Sequence, residues 1–179
     1  ALGAHLVDTD AIARALTLPG GAAVPALTAE FGADSLTPDG ALDREKMRRL
    51  VFADPDAKAR LEAILHPLIG AEANRQAAAG GRPVVFDVPL LAESSYWRAR
   101  VDRVLVIDCD EATQVARVAR RPGWTEEAAR RVTAQQAPRA ARRAIADAVI
   151  DNDALTIEQL HVELRTLWAL WFAAPATLS

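Results

Sequence analysis

The sequence has almost no cysteine, and this scarcity excludes two common ways of stabilising a small protein. Cys109 is the single cysteine among 179 residues. A disulfide framework and a multi-cysteine zinc site both need several cysteines, so both are excluded. The cysteine count is compatible with a reducing compartment, and we expect a cytoplasmic protein.

Long hydrophobic runs are also missing. No segment approaches the roughly 18 unbroken apolar residues that a membrane-spanning helix requires, and residues 1–10 lack the basic and apolar regions of a signal peptide. Aromatic residues make up only 5% of the chain, so alanine and aliphatic side chains must form most of the core. With 51% hydrophobic and 25% charged residues, the composition is typical of one globular domain with no membrane partner.

Lysine is scarce as well, because Lys46 and Lys58 are the only lysines among 21 basic residues. The net charge is −3, yet residues 117–143 contain eight arginines and two glutamates, a local charge of +6. Guanidinium groups bind phosphate bidentately, so an arginine-rich segment in an acidic protein favours a phosphate site over a nucleic-acid surface. A solvated helix face is the alternative. Trp124 is the only aromatic residue within the segment, and we expect no nucleic-acid partner.

Four short apolar segments alternate with helical patterns. The predicted strands cover residues 5–7, 83–86, 101–107 and 148–150, and each is followed by an acidic residue. Apolar strands separated by helices predict an α/β fold, in which helices flank a parallel sheet. Ligands of such sheets bind outside the carboxyl ends of the strands.

The helical patterns begin at recognisable caps. Thr9 or Asp10 is expected to cap a helix over residues 11–18. Later helices are expected to start at Asp43, at Asp54-Pro55, at Thr125, at Pro138 and at Thr156. Proline disfavours helical geometry in the residue before it, so we expect the helix that starts at Asp54-Pro55 to be interrupted at His66-Pro67.

Acidic residues at the strand ends are the first candidates for chemistry. A carboxylate of Asp8-Thr9-Asp10 could hold Mg²⁺ or accept a proton from a substrate hydroxyl, with helix capping as the alternative. Asp87 follows an apolar strand, as the Mg²⁺-holding acid of P-loop nucleotide enzymes does, with core packing of the following Pro89-Leu-Leu as the alternative. The sequence leaves open whether Asp8 or Asp87 contacts the metal.

A predicted helix over residues 111–121 puts Arg117 and Arg121 one turn apart on one face. An arginine-rich helical hairpin could close over phosphates and exclude water, with a solvated hairpin as the alternative. Glu62 and His66 are also one turn apart, but no third ligand is close in sequence. A hydrogen-bonding histidine is therefore favoured over a metal ligand.

Five segments together, in order and spacing, resemble the dephospho-coenzyme A kinase family over nearly the whole chain. They are Val7-Asp-Thr-Asp-Ala-Ile-Ala-Arg14, Leu61-Glu-Ala-Ile-Leu-His-Pro67, Asp87-Val-Pro-Leu-Leu-Ala-Glu93, Gln114-Val-Ala-Arg117 with Arg121, and Ala146-Asp-Ala-Val-Ile-Asp-Asn152. The resemblance implies a three-layer α/β/α P-loop kinase core. It implies core segments 1–23, 82–116 and 144–179, a helical substrate-binding insertion over 24–81 and an arginine-rich lid over 117–143.

The resemblance also implies an activity, namely Mg²⁺-dependent transfer of the ATP γ-phosphate to the 3′-hydroxyl of dephospho-coenzyme A. Asp10 matches the catalytic general base. The residues that match the substrate region are Asp8, His66, Pro67, Asp87 and Leu90. The residues that match the lid and the ATP site are Arg117, Arg121, Gln136 and Asn152. We expect a monomer or a weak homo-oligomer.

One family feature does not occur in the sequence. The phosphate-binding loop G-x-x-x-x-G-K-[ST] is absent, and Gly20-Gly21 lacks the lysine and the hydroxyl residue. We expect this loop to precede Ala1, with the helix after it ending at Leu2-Gly3. Two other functions stay open, another small-substrate kinase acting on nucleotides or nucleosides, and a non-catalytic coenzyme A-binding remnant.

Overall fold

A computed structural model of the chain describes residues 2–172. Within that range it contains four β-strands and nine α-helices. The chain divides into two compact units, Gly3–Pro89 and Leu90 onward.

The first unit contains a pair of parallel strands and four helices. Strands β1 (His5–Asp8) and β2 (Val84–Asp87) pair in a register that matches His5 with Val84 and Asp8 with Asp87. The helices are α1 (Thr9–Leu16), α2 (Val24–Phe31), α3 (Arg44–Ala53) and α4 (Pro55–Ala79). Helix α4 contacts α1, α2, α3 and β1, so it supports both the strand pair and the other helices.

Capping residues fix where α3 and α4 begin. The Asp43 side chain accepts a hydrogen bond from the Lys46 amide, and the Asp54 side chain accepts from two amides in the first turn of α4. Pro55 occupies the first position of α4, where its missing N–H costs nothing. The predicted starts at Asp43 and Asp54-Pro55 are therefore confirmed.

The predicted interruption of α4 at His66-Pro67 is wrong. Helix α4 runs for 25 residues with Pro67 inside it. Proline removes one backbone hydrogen bond and restricts the residue before it, but Leu61, Ile64, Leu65 and Leu68 on either side of Pro67 pack on the core of this unit. Tertiary packing of the apolar residues therefore outweighs the local preference of the proline.

That core is built from small and aliphatic side chains, as the low aromatic content predicts. Leu27 and Ala23 are fully buried, and Leu42 and Met47 complete the buried cluster. Leu16 of α1 and Val51 of α3 pack against it. The core thus joins α1 to the helices that follow.

The second unit contains the other strand pair. Strands β3 (Leu105–Asp108) and β4 (Ala148–Asp151) are parallel, and their register matches Asp108 with Asp151. The helices are α5 (Ser95–Arg98), α6 (Glu111–Ala119), α7 (Glu126–Ala134), α8 (Arg139–Ala144) and α9 (Ile157–Phe172), and a short 3₁₀ turn, Leu91–Glu93, precedes α5. Helices α6 and α7 pack against each other as a hairpin.

Two boundaries in this unit differ from the prediction by more than one residue. Strand β3 begins at Leu105 rather than at residue 101, because the Val104 amide donates to the side chain of Asp147 instead of to a neighbouring strand. Helix α6 ends at Ala119, since Pro122 and Gly123 form a turn in which Gly123 adopts a φ of 78°. The prediction that Arg117 and Arg121 share one helix face is therefore wrong.

The caps predicted for the last helices are confirmed. The Thr125 side chain accepts a hydrogen bond from the Ala128 amide at the start of α7. Thr156 and Gln159 exchange hydrogen bonds between side chains and amides, which is a capping box at the start of α9. The predicted final segment, 144–179, continues past residue 172, and its last seven residues lie outside the described range.

The predicted α/β class with parallel strands is confirmed. Within residues 2–172 the strands form two parallel pairs, β1–β2 and β3–β4. None of the helices in this range has the length and apolar character that crossing a membrane requires.

Gly80 offers a test of how tightly the first unit is packed. It ends α4 next to β1, and a Cβ atom there would lie 2.2 Å from Cγ of His5. We expect Gly80→Ala to lower the free energy of unfolding by about 1–3 kcal/mol, measured by urea denaturation, because the ring must move. Gly81→Ala is the matched control, since its Cβ would meet nothing within 4 Å. Equal stability of the two variants would contradict the close approach of α4 to β1.

Candidate active site

The carboxyl ends of β1 and β2 bring two predicted residues together. Asp8 and Asp87 are register partners, and both are exposed. The hydroxyl of Thr9, which is 7% exposed, donates a 2.8 Å hydrogen bond to the carbonyl oxygen of Asp87. This bond ties the start of α1 to the end of β2 and fixes the backbone that carries both acids.

Asp8, rather than Thr9 or Asp10, caps α1. Its Oδ1 accepts a 2.8 Å hydrogen bond from the Ala11 amide. The predicted cap is therefore displaced, because α1 begins at Thr9, two residues earlier than expected. Asp10 lies exposed in the first turn of α1, and its carboxylate has no hydrogen-bond partner among the residues the structure describes.

A groove of about 480 Å³ lies beside this strand end. Apolar side chains of β1 and α1, such as Leu6 and Ile12, line much of it, while Asp8, Glu72 and Gln76 supply polar groups. Hydrogen bonds from Arg75 and Gln76 lower the pKa of Glu72 to about 2, so its carboxylate is ionised at neutral pH. A mixed apolar and polar groove suits an organic substrate that carries hydrogen-bonding groups.

The predicted substrate residues His66 and Pro67 lie elsewhere on α4. Both are exposed and in the middle of the helix, and neither lines the groove. Glu72 and Gln76, which do line it, were not predicted. The sequence carried only a weak signal for them, because polar residues one turn apart on a helix are usually solvated.

Arg44 is a further residue that the sequence did not reveal. From the start of α3 it donates to the Thr17 hydroxyl at 2.8 Å and to the Ala13 carbonyl oxygen at 3.1 Å. Burial and the neighbouring Arg14 lower the pKa of Arg44. A cation bonded to the last carbonyl groups of α1 stabilises that end of the helix.

In the second unit, Asp108 at the end of β3 is the most buried charged group. Its side chain is fully buried, and Oδ2 accepts hydrogen bonds from Arg139, at 2.7 Å, and from Arg143. Oδ1 has no hydrogen-bond partner in the described part of the chain. Burial acts to raise the pKa of Asp108, but the hydrogen bonds from Arg143 and Arg139 outweigh it and hold the pKa below its ordinary value.

Two predicted ATP-side residues meet at the end of β4. Arg117, which is half-buried, donates to the backbone carbonyl oxygen of Asn152 at 2.7 Å and to that of Asp153 at 3.3 Å. The sequence predicted both Arg117 and Asn152 but not their contact. Their meeting shows that α6 packs with its C-terminal part beside the loop after β4.

The other predicted residues of this unit are exposed. Arg121 follows α6 in the turn, Gln136 follows α7, and Leu90 is 52% exposed at the start of the unit. The residue after Gln136 is held, because the Ala137 amide donates a 2.6 Å hydrogen bond to Oε1 of Glu93. Glu93 was noted in the sequence only as part of a motif.

The strength of the Thr9 tie is measurable. We expect Thr9→Val, which keeps the shape of the side chain, to lower the free energy of unfolding by about 1 kcal/mol in urea denaturation, because the Asp87 carbonyl oxygen loses its donor. Thr28→Val is the control, since the Thr28 hydroxyl donates a bond of the same 2.8 Å length within its own helix. A larger loss of stability in Thr28→Val than in Thr9→Val would contradict the role of the Thr9 hydroxyl in tying α1 to β2.

The ion pair at Asp108 predicts a pH dependence of stability. The pKa of the folded carboxyl is lowered, so the pair contributes fully above the unfolded pKa of about 3.9 and is lost as pH falls through the folded pKa. Asp108→Asn should lower the free energy of unfolding by about 1–3 kcal/mol at neutral pH. The difference between wild type and variant should shrink as pH falls from about 5 to about 3, measured by urea denaturation at several pH values. A difference that does not change with pH would rule out the ion pair.

Comparison with known proteins agrees with this geometry. A family model described as dephospho-CoA kinase matches residues 1–158. This chain is 54% identical to the dephospho-CoA kinase of Bordetella pertussis over 179 residues, covering 99% of this chain and 84% of the relative. It is also 54% identical to the dephospho-CoA kinase of Burkholderia thailandensis over 168 residues, covering 93% of this chain and 83% of that protein.

Solved structures support the same fold. TT1252 from Thermus thermophilus matches with a TM-score of 0.79 and 29% identity, covering 94% of this chain and 85% of that one. A dephospho-CoA kinase from Campylobacter jejuni matches in fold, with a TM-score of 0.65 and 21% identity over 94% of this chain and 86% of that one. Parallel strands with flanking helices, together with these structural neighbours, give the chain an α/β fold like that of P-loop kinases. The match over residues 1–158 then shows that the chain belongs to the dephospho-CoA kinase family.

Proposed function

We propose that this protein transfers the γ-phosphate of ATP to the 3′-hydroxyl of dephospho-coenzyme A, giving coenzyme A and ADP in the last step of coenzyme A biosynthesis. The observation that carries the proposal is the 54% identity to a dephospho-CoA kinase across 99% of the chain. The strand-end acids and the adjoining groove supply the chemistry that such a transfer needs.

Asp10 is the general base in this proposal. Its carboxylate has no hydrogen-bond partner within residues 2–172, so it is available to accept the proton of the acceptor hydroxyl. Asp8 lies at the preceding strand end and lines the groove, where it would orient the acceptor.

The Asp8–Asp87 pair fits a Mg²⁺ ion that is shared with the nucleotide. Mg²⁺ is usually bound by one or two carboxylates together with substrate phosphates, and these two exposed carboxylates end neighbouring strands. The described residues contain no group of three or more side chains that could hold a metal ion. When bound, the ion would neutralise charge on the phosphates.

We assign the acceptor to the insertion over residues 24–81 and to the groove that it shares with β1 and α1. The apolar lining from Leu6, Ile12 and Leu16 would contact the aliphatic parts of coenzyme A, and Glu72 and Gln76 would meet its polar groups. His66 and Pro67 would belong to a more distant part of the same acceptor surface, since both are exposed on α4.

Residues 117–143 act as the lid in this proposal. Arg117, Arg121 and Gln136 would face the phosphates of ATP, and Asn152 would lie on the adenine side. Guanidinium groups suit this role because they stay charged and bind phosphate oxygens bidentately. The sequence of 179 residues contains no G-x-x-x-x-G-K-[ST] motif, so the roles assigned here concern the acceptor side and the lid side of the reaction.

We further propose a cytoplasmic location and a monomer or weak homo-oligomer.

The assignment of Asp10 is tested by Asp10→Asn in the full-length gene product. Loss of a general base should lower kcat by about 10²–10⁴-fold, measured by coupled ADP release with dephospho-coenzyme A as acceptor. Glu111→Gln is the matched control, because Glu111 is also an exposed acid in the first turn of a helix but lies at the start of α6. Full activity of a folded Asp10→Asn variant would overturn the assignment. A preference of the wild type for nucleosides over dephospho-coenzyme A would overturn the proposed substrate.

A further inference from the structure

The segment from Gln136 to Arg143, here termed the hinge segment, follows α7 and includes most of α8. It includes the last part of the proposed lid and begins at Gln136. Pro138 stands at the start of α8 with a φ of −53°, so the chain direction there is restricted. The hinge segment therefore sets how the chain returns from α7 toward β4.

Two carboxylates from outside the lid hold the hinge segment. Oε1 of Glu93 accepts the amide hydrogen of Ala137 at 2.6 Å. Oδ2 of Asp108 accepts hydrogen bonds from Arg139, at 2.7 Å, and from Arg143. Glu93 lies in the 3₁₀ turn before α5 and Asp108 ends β3, so the two attachments come from different parts of the unit.

A further bond completes the arrangement. The Arg142 side chain donates a 2.8 Å hydrogen bond to the carbonyl oxygen of Ala137. Glu93 fixes the N–H of Ala137 and Arg142 fixes its C=O, so both backbone polar groups of the residue after Gln136 are bonded. A residue held in this way can orient the Gln136 side chain next to it.

The two attachments differ in burial. The Asp108 side chain is fully buried and bonds two arginines, whereas Glu93 is exposed and bonds a single amide. A buried, doubly bonded carboxylate resists opening, and water competes for an exposed bond. Asp108 therefore provides the permanent attachment of α8, and Glu93 sets the angle at which the chain enters it.

We propose that Glu93 and Asp108 are positioning residues for phosphoryl transfer, which hold the hinge segment so that the lid closes on ATP from a fixed starting point. The proposal rests on the proposed function, because it requires residues 117–143 to act as the lid. It gives a role to Glu93, the last residue of the Asp87–Glu93 motif, which the proposed acceptor and nucleotide sites do not use.

Glu93 is the better residue to substitute in a test, because it is exposed and its substitution leaves the buried core intact. Glu93→Ala removes the acceptor of the Ala137 amide, and Glu93→Gln keeps a carbonyl oxygen at the same reach. The first readout is hydrogen–deuterium exchange of peptides over residues 126–143 without ATP. We expect about tenfold faster exchange in Glu93→Ala, because a hydrogen bond to a charged group is lost, and near wild-type exchange in Glu93→Gln.

The second readout is kinase kinetics with the same variants in the full-length protein. Glu93→Ala should lower kcat/KM for ATP about tenfold and leave KM for dephospho-coenzyme A unchanged, while Glu93→Gln restores most of the loss. Glu163→Ala is the control, because Glu163 is an exposed glutamate on α9 in the same unit. Asp108→Asn should also accelerate exchange over the hinge segment.

The two readouts separate the possible failures. Unchanged exchange in Glu93→Ala would overturn the attachment itself. Faster exchange with unchanged kinetics for ATP would overturn the positioning role and leave the proposed function standing. A wild-type protein that does not phosphorylate dephospho-coenzyme A would overturn the proposed function, and with it the catalytic purpose of the attachment, even where exchange responds as expected.

Discussion

Parallel pairing in matched register is the constraint on which the candidate site depends. It puts Asp8 beside Asp87 in the first unit and Asp108 beside Asp151 in the second. Antiparallel pairing would put the ends of neighbouring strands at opposite edges, and a slip of one residue would turn each acid to the other face. The hydrogen bond from the Thr9 hydroxyl to the Asp87 carbonyl oxygen also ties the start of α1 to the end of β2. The positions of the carboxylates are therefore set by the backbone before any substrate binds.

The strand-end acids are not equivalent, because each meets a different backbone requirement. One oxygen of Asp8 satisfies the first turn of α1. Asp108 is buried and needs the charges of Arg139 and Arg143 to offset its desolvation. Asp10 meets neither requirement, since Asp8 already caps the helix and the Asp10 side chain is exposed. This division of tasks leaves the Asp10 carboxylate without a hydrogen-bond partner in the described residues, which supports its proposed role in proton transfer.

The sequence predicted those features that depend on local pattern. Apolar segments followed by acids located all four strands, and Asp54-Pro55 located the start of α4. Errors arose where packing competes with local preference, as at Pro67, where apolar neighbours keep α4 continuous. Contacts between residues far apart in the chain could not be predicted, because they leave no periodic pattern in the sequence. The pair of Asp108 and Arg139 joins residues 31 positions apart, and only the fold brings them together.

The arginine-rich segment shows why composition alone overstates the charge available to a ligand. Residues 117–143 contain eight arginines, but six of them donate hydrogen bonds to carboxylates or carbonyl oxygens of the same unit, namely Arg117, Arg130, Arg131, Arg139, Arg142 and Arg143. Arg120 and Arg121 are exposed in the turn after α6 and have no such bond within residues 2–172. A phosphate that binds at this turn would contact guanidinium groups that need not first break a hydrogen bond within the protein. Because α6 ends before Arg121, this guanidinium is exposed. It is therefore better suited to bind phosphate than a guanidinium that packs on the α6 face.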